Sequence, residues 1–198
     1  MAITKTSTEI EIDQWVEVAA TEIRIGSAHD ISGSYDSLLY IEVHNMDAAA
    51  LANDGVEVFV EVSYGTENWI ELTSFVWTDD NADATTLDGN VSATDTTITT
   101  AGAAWAVGDI GFIWDGFTGT ASESFMVKSV DSGVILTLTS PLMHDHPTGS
   151  TVTHNNKGKG RYAIPLPLTA SQVRVLYHNT DADEEVATCA RISKVTAV

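Results

Sequence analysis

Val56–Glu57–Val58–Phe59–Val60–Glu61–Val62 puts valine at every second position. Side chains on a strand point alternately to its two faces, so this stretch reads as a β-strand with one buried face and one largely polar face. The same period of two runs outward in both directions. Glu9–Ile10–Glu11–Ile12–Asp13 and Glu22–Ile23–Arg24–Ile25 alternate before it, as does Leu39–Tyr40–Ile41–Glu42–Val43–His44; Trp69 to Trp77 continues the pattern after it. Clean alternation marks antiparallel sheets with one face in water. Only Asp47–Ala52 has a briefly helical composition, one or two turns at most or a loop before an Asn53–Asp54–Gly55 turn.

The composition changes after Thr78. To about Thr100 the chain is rich in Asp, Thr, Ala, Asn and Gly, and then come short, closely spaced strands. Trp105 to Ile113, Ser124 to Val130, a turn at Asp131–Ser132–Gly133, Val134 to Ser140 and a short Thr151–Val152–Thr153 suit a small barrel or compact sandwich. Beyond the loop 155–160 the longer alternating strands return, at Tyr162–Leu166, Val173–His178 and Val186–Val195. The expectation is an all-β chain: an antiparallel, jelly-roll-like β-sandwich from residues 1–78 and 158–198, with a small β-barrel or sandwich domain, 79–157, inserted between them.

Charge excludes whole classes of partner. Against 28 acidic residues stand nine Lys and Arg, a formal net charge of −19. Nucleic acid and anionic membranes both need clustered cations, and Lys157, Lys159 and Arg161 are the only cluster, so neither is expected as a partner. The start of the chain has no secretory apolar segment, and no run reaches the length of a membrane helix. The single cysteine, Cys189, sits in an alternating strand and reads as a small core hydrophobe.

The middle segment carries a resemblance. Residues 84–152 run through Trp105–Ala106–Val107–Gly108–Asp109–Ile110, the acid-bearing Ser122–Glu123–Ser124–Phe125–Met126–Val127, then Leu136–Thr137–Leu138–Thr139–Ser140–Pro141–Leu142 and a closing His146–Pro147–Thr148–Gly149–Ser150–Thr151–Val152. This order, covering about a third of the chain, resembles a β-module recurrent in virion proteins of tailed phages. The resemblance implies architecture and assembly, and brings no catalytic residues with it. The flanking sandwich is similar in general style to capsid decoration or cement proteins.

Candidate sites are few. His144–Asp145–His146 with His154 has imidazoles at a spacing that metals use, and reads more simply as a polar loop. Asp79, Asn81 and Asp83 open like a calcium loop, but Ala84 stands where the pattern needs glycine and Asn90 where it needs the closing glutamate. An acidic, solvated linker fits better. Asp181, Asp183, Glu184 and Glu185 lie in one loop and lack the separation across a cleft that glycoside hydrolysis requires. Trp15, Trp69 and Trp77 fall in alternating strands and read as core or subunit interface. Trp105, Trp114 and Phe117 in the inserted unit are the residues placed at a partner surface.

The expected function is therefore non-enzymatic, with no cofactor: a virion structural protein, foremost a capsid decoration or cement subunit. Its partners would be itself, as a dimer or trimer, and the major capsid protein or other virion proteins. A tail, neck or fibre component is the second reading, and a carbohydrate-binding adsorption module the third. Exposed coplanar aromatics or bound calcium would favour the third; buried aromatics and a broad apolar contact patch would favour the first.

Overall fold

The computed structural model describes residues 5–34, 36–46, 51–65, 68–79, 83–102, 104–114, 121–155 and 160–197. Among these every regular element is a strand, and no helix is long and apolar enough to cross a membrane. In chain order the strands are β1 (Lys5–Val18), β2 (Ile23–Ile25), β3 (His29–Asp30), β4 (Asp36–Asn45), β5 (Leu51–Ser63), β6 (Trp69–Asp79), β7 (Asp83–Thr86) and β8 (Thr97–Thr99). They continue with β9 (Ile110–Trp114), β10 (Glu123–Asp131), β11 (Ile135–Leu138), β12 (Thr151–Asn155), β13 (Arg161–Pro165), β14 (Gln172–Asn179) and β15 (Val186–Ala197).

Three antiparallel sheets result. One has the order β1-β15-β4-β13 and another β2-β14-β5-β6, with β3 also on β14. Setting aside β3 and the strands between β6 and β13, eight strands remain. The first, eighth, third and sixth make one sheet, and the second, seventh, fourth and fifth the other. That is jelly-roll topology, and it pairs chain ends that are far apart in sequence, Lys5 lying opposite Ala197. The valines of the alternating stretch, Val56, Val58, Val60 and Val62, point into a shared core with Leu39, Ile41, Val43, Val173, Val175 and Ile192, all at most 1% exposed. Pro165 falls on β13, an edge strand, where a missing N–H costs no ladder bond.

The third sheet, β7-β12-β9-β10-β11-β8, closes on itself. Leu87 bridges Thr100, the Asp88 N–H donates to the Thr99 carbonyl at 2.9 Å, and the Ala101 N–H to that of Thr86 at 2.8 Å. The two free edges so meet, and a small barrel surrounds its own core of Leu87, Ile98, Ile113, Val127, Leu136 and Val152. Its β10–β11 hairpin turns at Ser132 and Gly133, with φ of 51° and 80°, the two left-handed residues that a tight hairpin favours.

Two sequence expectations change. Asn53–Asp54–Gly55 is not a hairpin turn but part of β5, at a register shift against β6. Gly55 is needed there because a Cβ would lie 2.3 Å from the Trp77 carbonyl oxygen. Gly55→Ala is expected to cost about 2–3 kcal/mol, read as a lowered denaturant midpoint. Gly102→Ala, whose methyl meets only Thr85 Oγ1 at 3.7 Å, should stay within about 0.5 kcal/mol. Cys189 is buried at 1% exposure, as read, on the face of β15 that it shares with its register partner Glu42. Of the proposed helical stretch, residues 47–50 lie outside the described residues and Leu51 already opens β5.

Candidate functional site

On β4, Ile41 and Val43 point into the sandwich, so Glu42 and His44 must face outward. The barrel covers them. From β10, Ser124 donates its hydroxyl to Glu42 Oε2 at 2.7 Å; from β13, Arg161 donates Nε to the same oxygen at 3.2 Å and Nη2 to Ser124 Oγ at 2.7 Å. His44 Nε2 stands 3.4 Å from that carboxylate, and its ring stacks on Phe112 of β9 at 5.0 Å and 11°. Trp15 of β1 packs on both rings, at 5.2 Å from His44 and 4.5 Å from Phe112. His44 and Phe112 are fully buried although neither belongs to the sandwich or barrel core cluster. They form a third packed zone, the seam between the two β-units.

Electrostatics lock the seam. Burial alone would raise the Glu42 carboxyl, but the hydrogen bond and charge of His44, then Arg161 and Ser124, outweigh it and hold the group at about 2. Ser124 Oγ is bonded to a carboxylate and a guanidinium, not to an imidazole; this is a bridge between strands, not an activated nucleophile.

Two further histidine–carboxylate pairs lie in the barrel. Glu123 Oε1 accepts from His146 Nε2 at 2.9 Å, and the Glu123 carboxylate also takes the N–H groups of Met143 and His144. Burial opposes its charge, while the His146 bond, those two amides and the His146 charge hold it below its usual value. Asp109 Oδ2 accepts from His154 Nε2 at 2.8 Å and from the Ala106 N–H at 2.6 Å. A shallow cleft beside the seam is lined by Glu123, Ser124, Thr139, Pro141, Leu142 and Arg161.

The sequence-selected residues fall as follows. His146 and His154 are not a solvated polar loop: both are buried, each with its own carboxylate, and the carboxylate of Asp145 accepts the Ala93 N–H. Among the described residues no three His, Cys, Asp or Glu side chains converge as metal ligands. Asp79 closes β6 and Asp83 opens β7, while Asn81 and Phe117 lie outside the described residues. Trp105 is 7% exposed and packs on Phe125 and His154 in the barrel core. Trp114 is half-buried at the end of β9, its ring 6.4 Å from that of Phe112. Trp77 is a core residue and Trp69 lies under the Arg174 guanidinium at 4.2 Å. In the acidic loop, Asp181 Oδ1 accepts the N–H groups of Asp183 and Glu184, a turn function.

The outer face of the β2-β14-β5-β6 sheet is the other notable surface. Register places Ile23, His178, Glu57 and Val76 in one row and Ile25, Leu176, Phe59 and Ser74 in the next. Ile23, Ile25 and Val76 are 63%, 58% and 60% exposed. Glu57 is paired with His178 at 2.8 Å and Glu61 with Arg174 at 2.7 Å beside them.

The fold and these surfaces define an all-β protein of jelly-roll sandwich and small barrel, joined by a charge-locked seam. No family model and no curated protein matches the chain. Among solved structures it is similar to VP17, a capsid protein of bacteriophage P23-77, at 10% identity over 98% of this chain and 99% of that one, with a TM-score of 0.22. The VP16–VP17 complex of the two major capsid proteins of the same phage matches at 9% identity, 97% and 99% coverage and a TM-score of 0.22. Likeness at that score assigns neither fold nor function to this chain.

Proposed function

We propose that this chain is a non-enzymatic virion structural protein, a capsid decoration or cement subunit whose sandwich, residues 1–78 and 158–198, makes the shell and subunit contacts while the inserted unit, 79–157, projects. The observation that carries this reading is the apolar outer face of the β2-β14-β5-β6 sheet on a chain of net charge −19. Large aliphatic side chains in adjacent rows, at the exposed face of an otherwise acidic protein, are what a permanent protein contact leaves when its partner is removed. Jelly rolls are used by viral capsid and lectin domains alike. Here Trp77 and Trp105 are buried, and Trp15 and Trp69 are committed to internal contacts, which favours assembly over sugar stacking. The module resemblance of residues 84–152 supplies the phage context.

Light scattering and co-sedimentation with shells lacking this protein test the reading together. The wild type is expected to form a defined oligomer and to pellet with shells. Ile25→Asn should weaken association at least tenfold while leaving the denaturant midpoint unchanged, since Ile25 is 58% exposed. A monomer that ignores shells but is retained on a glycan surface would sink the structural reading and put the adsorption module in its place.

A further inference from the structure

An open edge of a sheet offers its unpaired N–H and C=O groups to any strand that meets it. The two sandwich sheets have such edges at β1, β13, β6 and the β2 side. Three of them carry features that discourage pairing. The β2 side is made of strands of three and two residues, β2 and β3. β13 is five residues long and ends in Pro165. β1 carries Glu9, Glu11, Asp13 and Glu17 and two register shifts against β15, so copies laid together there would set acid against acid.

The fourth edge, β6, is different over its second half. Its ladder with β5 shifts at Leu72, between the pairs Glu61–Glu71 and Val60–Thr73, and then runs in unbroken register to Trp77. The strip Thr73–Ser74–Phe75–Val76–Trp77–Thr78 holds no charge, proline or glycine, with acids only beyond its ends at Glu71 and Asp79. Five of its six residues are β-branched or aromatic, the composition that pairs most readily. The Trp77 carbonyl oxygen is turned toward Gly55 of β5, so by alternation Ser74, Val76 and Thr78 turn their N–H and C=O to the open side. Among the described residues no strand pairs with that side, and no turn or loop backbone bonds to it. Leu72 and Phe75, with Tyr162 and Ile164 of β13, pack against the sandwich core yet stay half-buried, the Phe75 and Tyr162 rings 3.9 Å apart.

We propose that β6 is the subunit contact: two copies join by antiparallel β6–β6 pairing about a two-fold axis, which makes one sheet continuous across both. The occupant is a second copy because this strip must meet one as free of charge as itself. Chains of net charge −19 repel one another, and none of that charge sits between Thr73 and Thr78. A two-fold axis lays each strip on its own equivalent and satisfies both rows of backbone groups at once. Pairing occupies the edge in both copies, and the other edges are guarded, so association closes at two.

The test is the solution mass of the full chain by light scattering, with two variants at one position. Val76→Pro removes an N–H on the open side and leaves the β5 ladder its bonds; Val76→Thr keeps that N–H and only makes a 60% exposed side chain more polar. The wild type is expected to be a dimer. Val76→Pro should raise its dissociation constant on the order of a hundredfold, because each copy leaves an acceptor of the other unpaired. Val76→Thr should change it by less than about threefold. Should the proline variant fail to fold, hydrogen exchange on the wild type decides. The amides of residues 73–78 should then exchange at least about tenfold more slowly in concentrated protein than after dilution to monomer. A monomeric or trimeric wild type, a Val76→Pro dimer as tight as the wild type, equal weakening by both variants, or exchange at 73–78 that ignores concentration overturns the proposal. The proposal rests on the structural reading above for the need of a subunit contact, and shells separate the two. A dimer that does not sediment with shells keeps this contact and counts against that reading alone.

Discussion

Replacing Glu123 by alanine is expected to melt the barrel selectively, at a cost of about 3–5 kcal/mol. Three donors converge on this carboxylate: the N–H groups of Met143 and His144, and Nε2 of a fully buried His146. Its own side chain is 5% exposed. Removal of the acceptor takes the carboxylate from His146 Nε2 and two amides with little water to replace it, a costly way to break a buried pair. Glu123→Gln keeps an acceptor for the amides and should lose about half as much. The loss should appear in Trp105 fluorescence, since Trp105 sits in the barrel core, and leave Trp77 in the sandwich undisturbed. The same pair has a pH signature. Glu123 is held below its usual 4.5, so the stability it confers is complete above that value and declines as the solution is acidified past it. A Glu123→Ala barrel that melts at the wild-type denaturant concentration would show the triple contact to be energetically idle.

How far these features were readable in the chain depends on the distance over which each is decided. Alternation is local, and Val56–Val62, Leu39–His44 and Val173–His178 all form the strands their period predicts. The Ser132–Gly133 hairpin is local too. The jelly-roll strand order is not: β1 pairs with β15 across nearly the whole chain, and nothing in either strand names the other. Asn53–Asp54–Gly55 misled because its residue types suit a turn, while the reason for glycine there is a carbonyl of a neighbouring strand. Thr151–Val152–Thr153, read as the last short strand of the middle unit, is β12; its place between β7 and β9 is not visible in so short a run.

The site followed the same division. His146 and His154 drew notice as a histidine cluster, yet each is hydrogen-bonded to a carboxylate 23 or 45 residues away, and those partners had no local mark. Glu42, His44 and Arg161 were missed as a group. The available signal was that Glu42 and His44 occupy the outward positions of a strand whose inward Leu39, Ile41 and Val43 are aliphatic; an outward histidine buried to 0% implies a cover. Only the placement of Phe112 and Ser124 shows what the cover is.

Excision should separate the two units cleanly. A chain of residues 83–155 alone is expected to fold and melt in one cooperative transition. Its entry and exit strands are neighbours, with Asp83 opposite His154, so the ends of the fragment are already held together by β7–β12 pairing. Every member of its core cluster lies between Leu87 and Val152, and its edges close through the Leu87–Thr100 bridge without help from the sandwich. The reciprocal chain, with 80–159 replaced by a short Gly/Ser bridge, should keep the jelly roll, because its core draws on β4, β5, β14 and β15 and on no barrel residue. Both fragments will bear a scar. Phe112 on one and Trp15 and His44 on the other lose their stacking partners, so each fragment should bind a hydrophobic dye that the intact chain does not. Mixing the two fragments at neutral pH should quench that dye signal as the seam re-forms. An unstructured 83–155 fragment would mean that the barrel is folded by the sandwich it sits on, and the division at 79–157 would then be one of topology but not of stability.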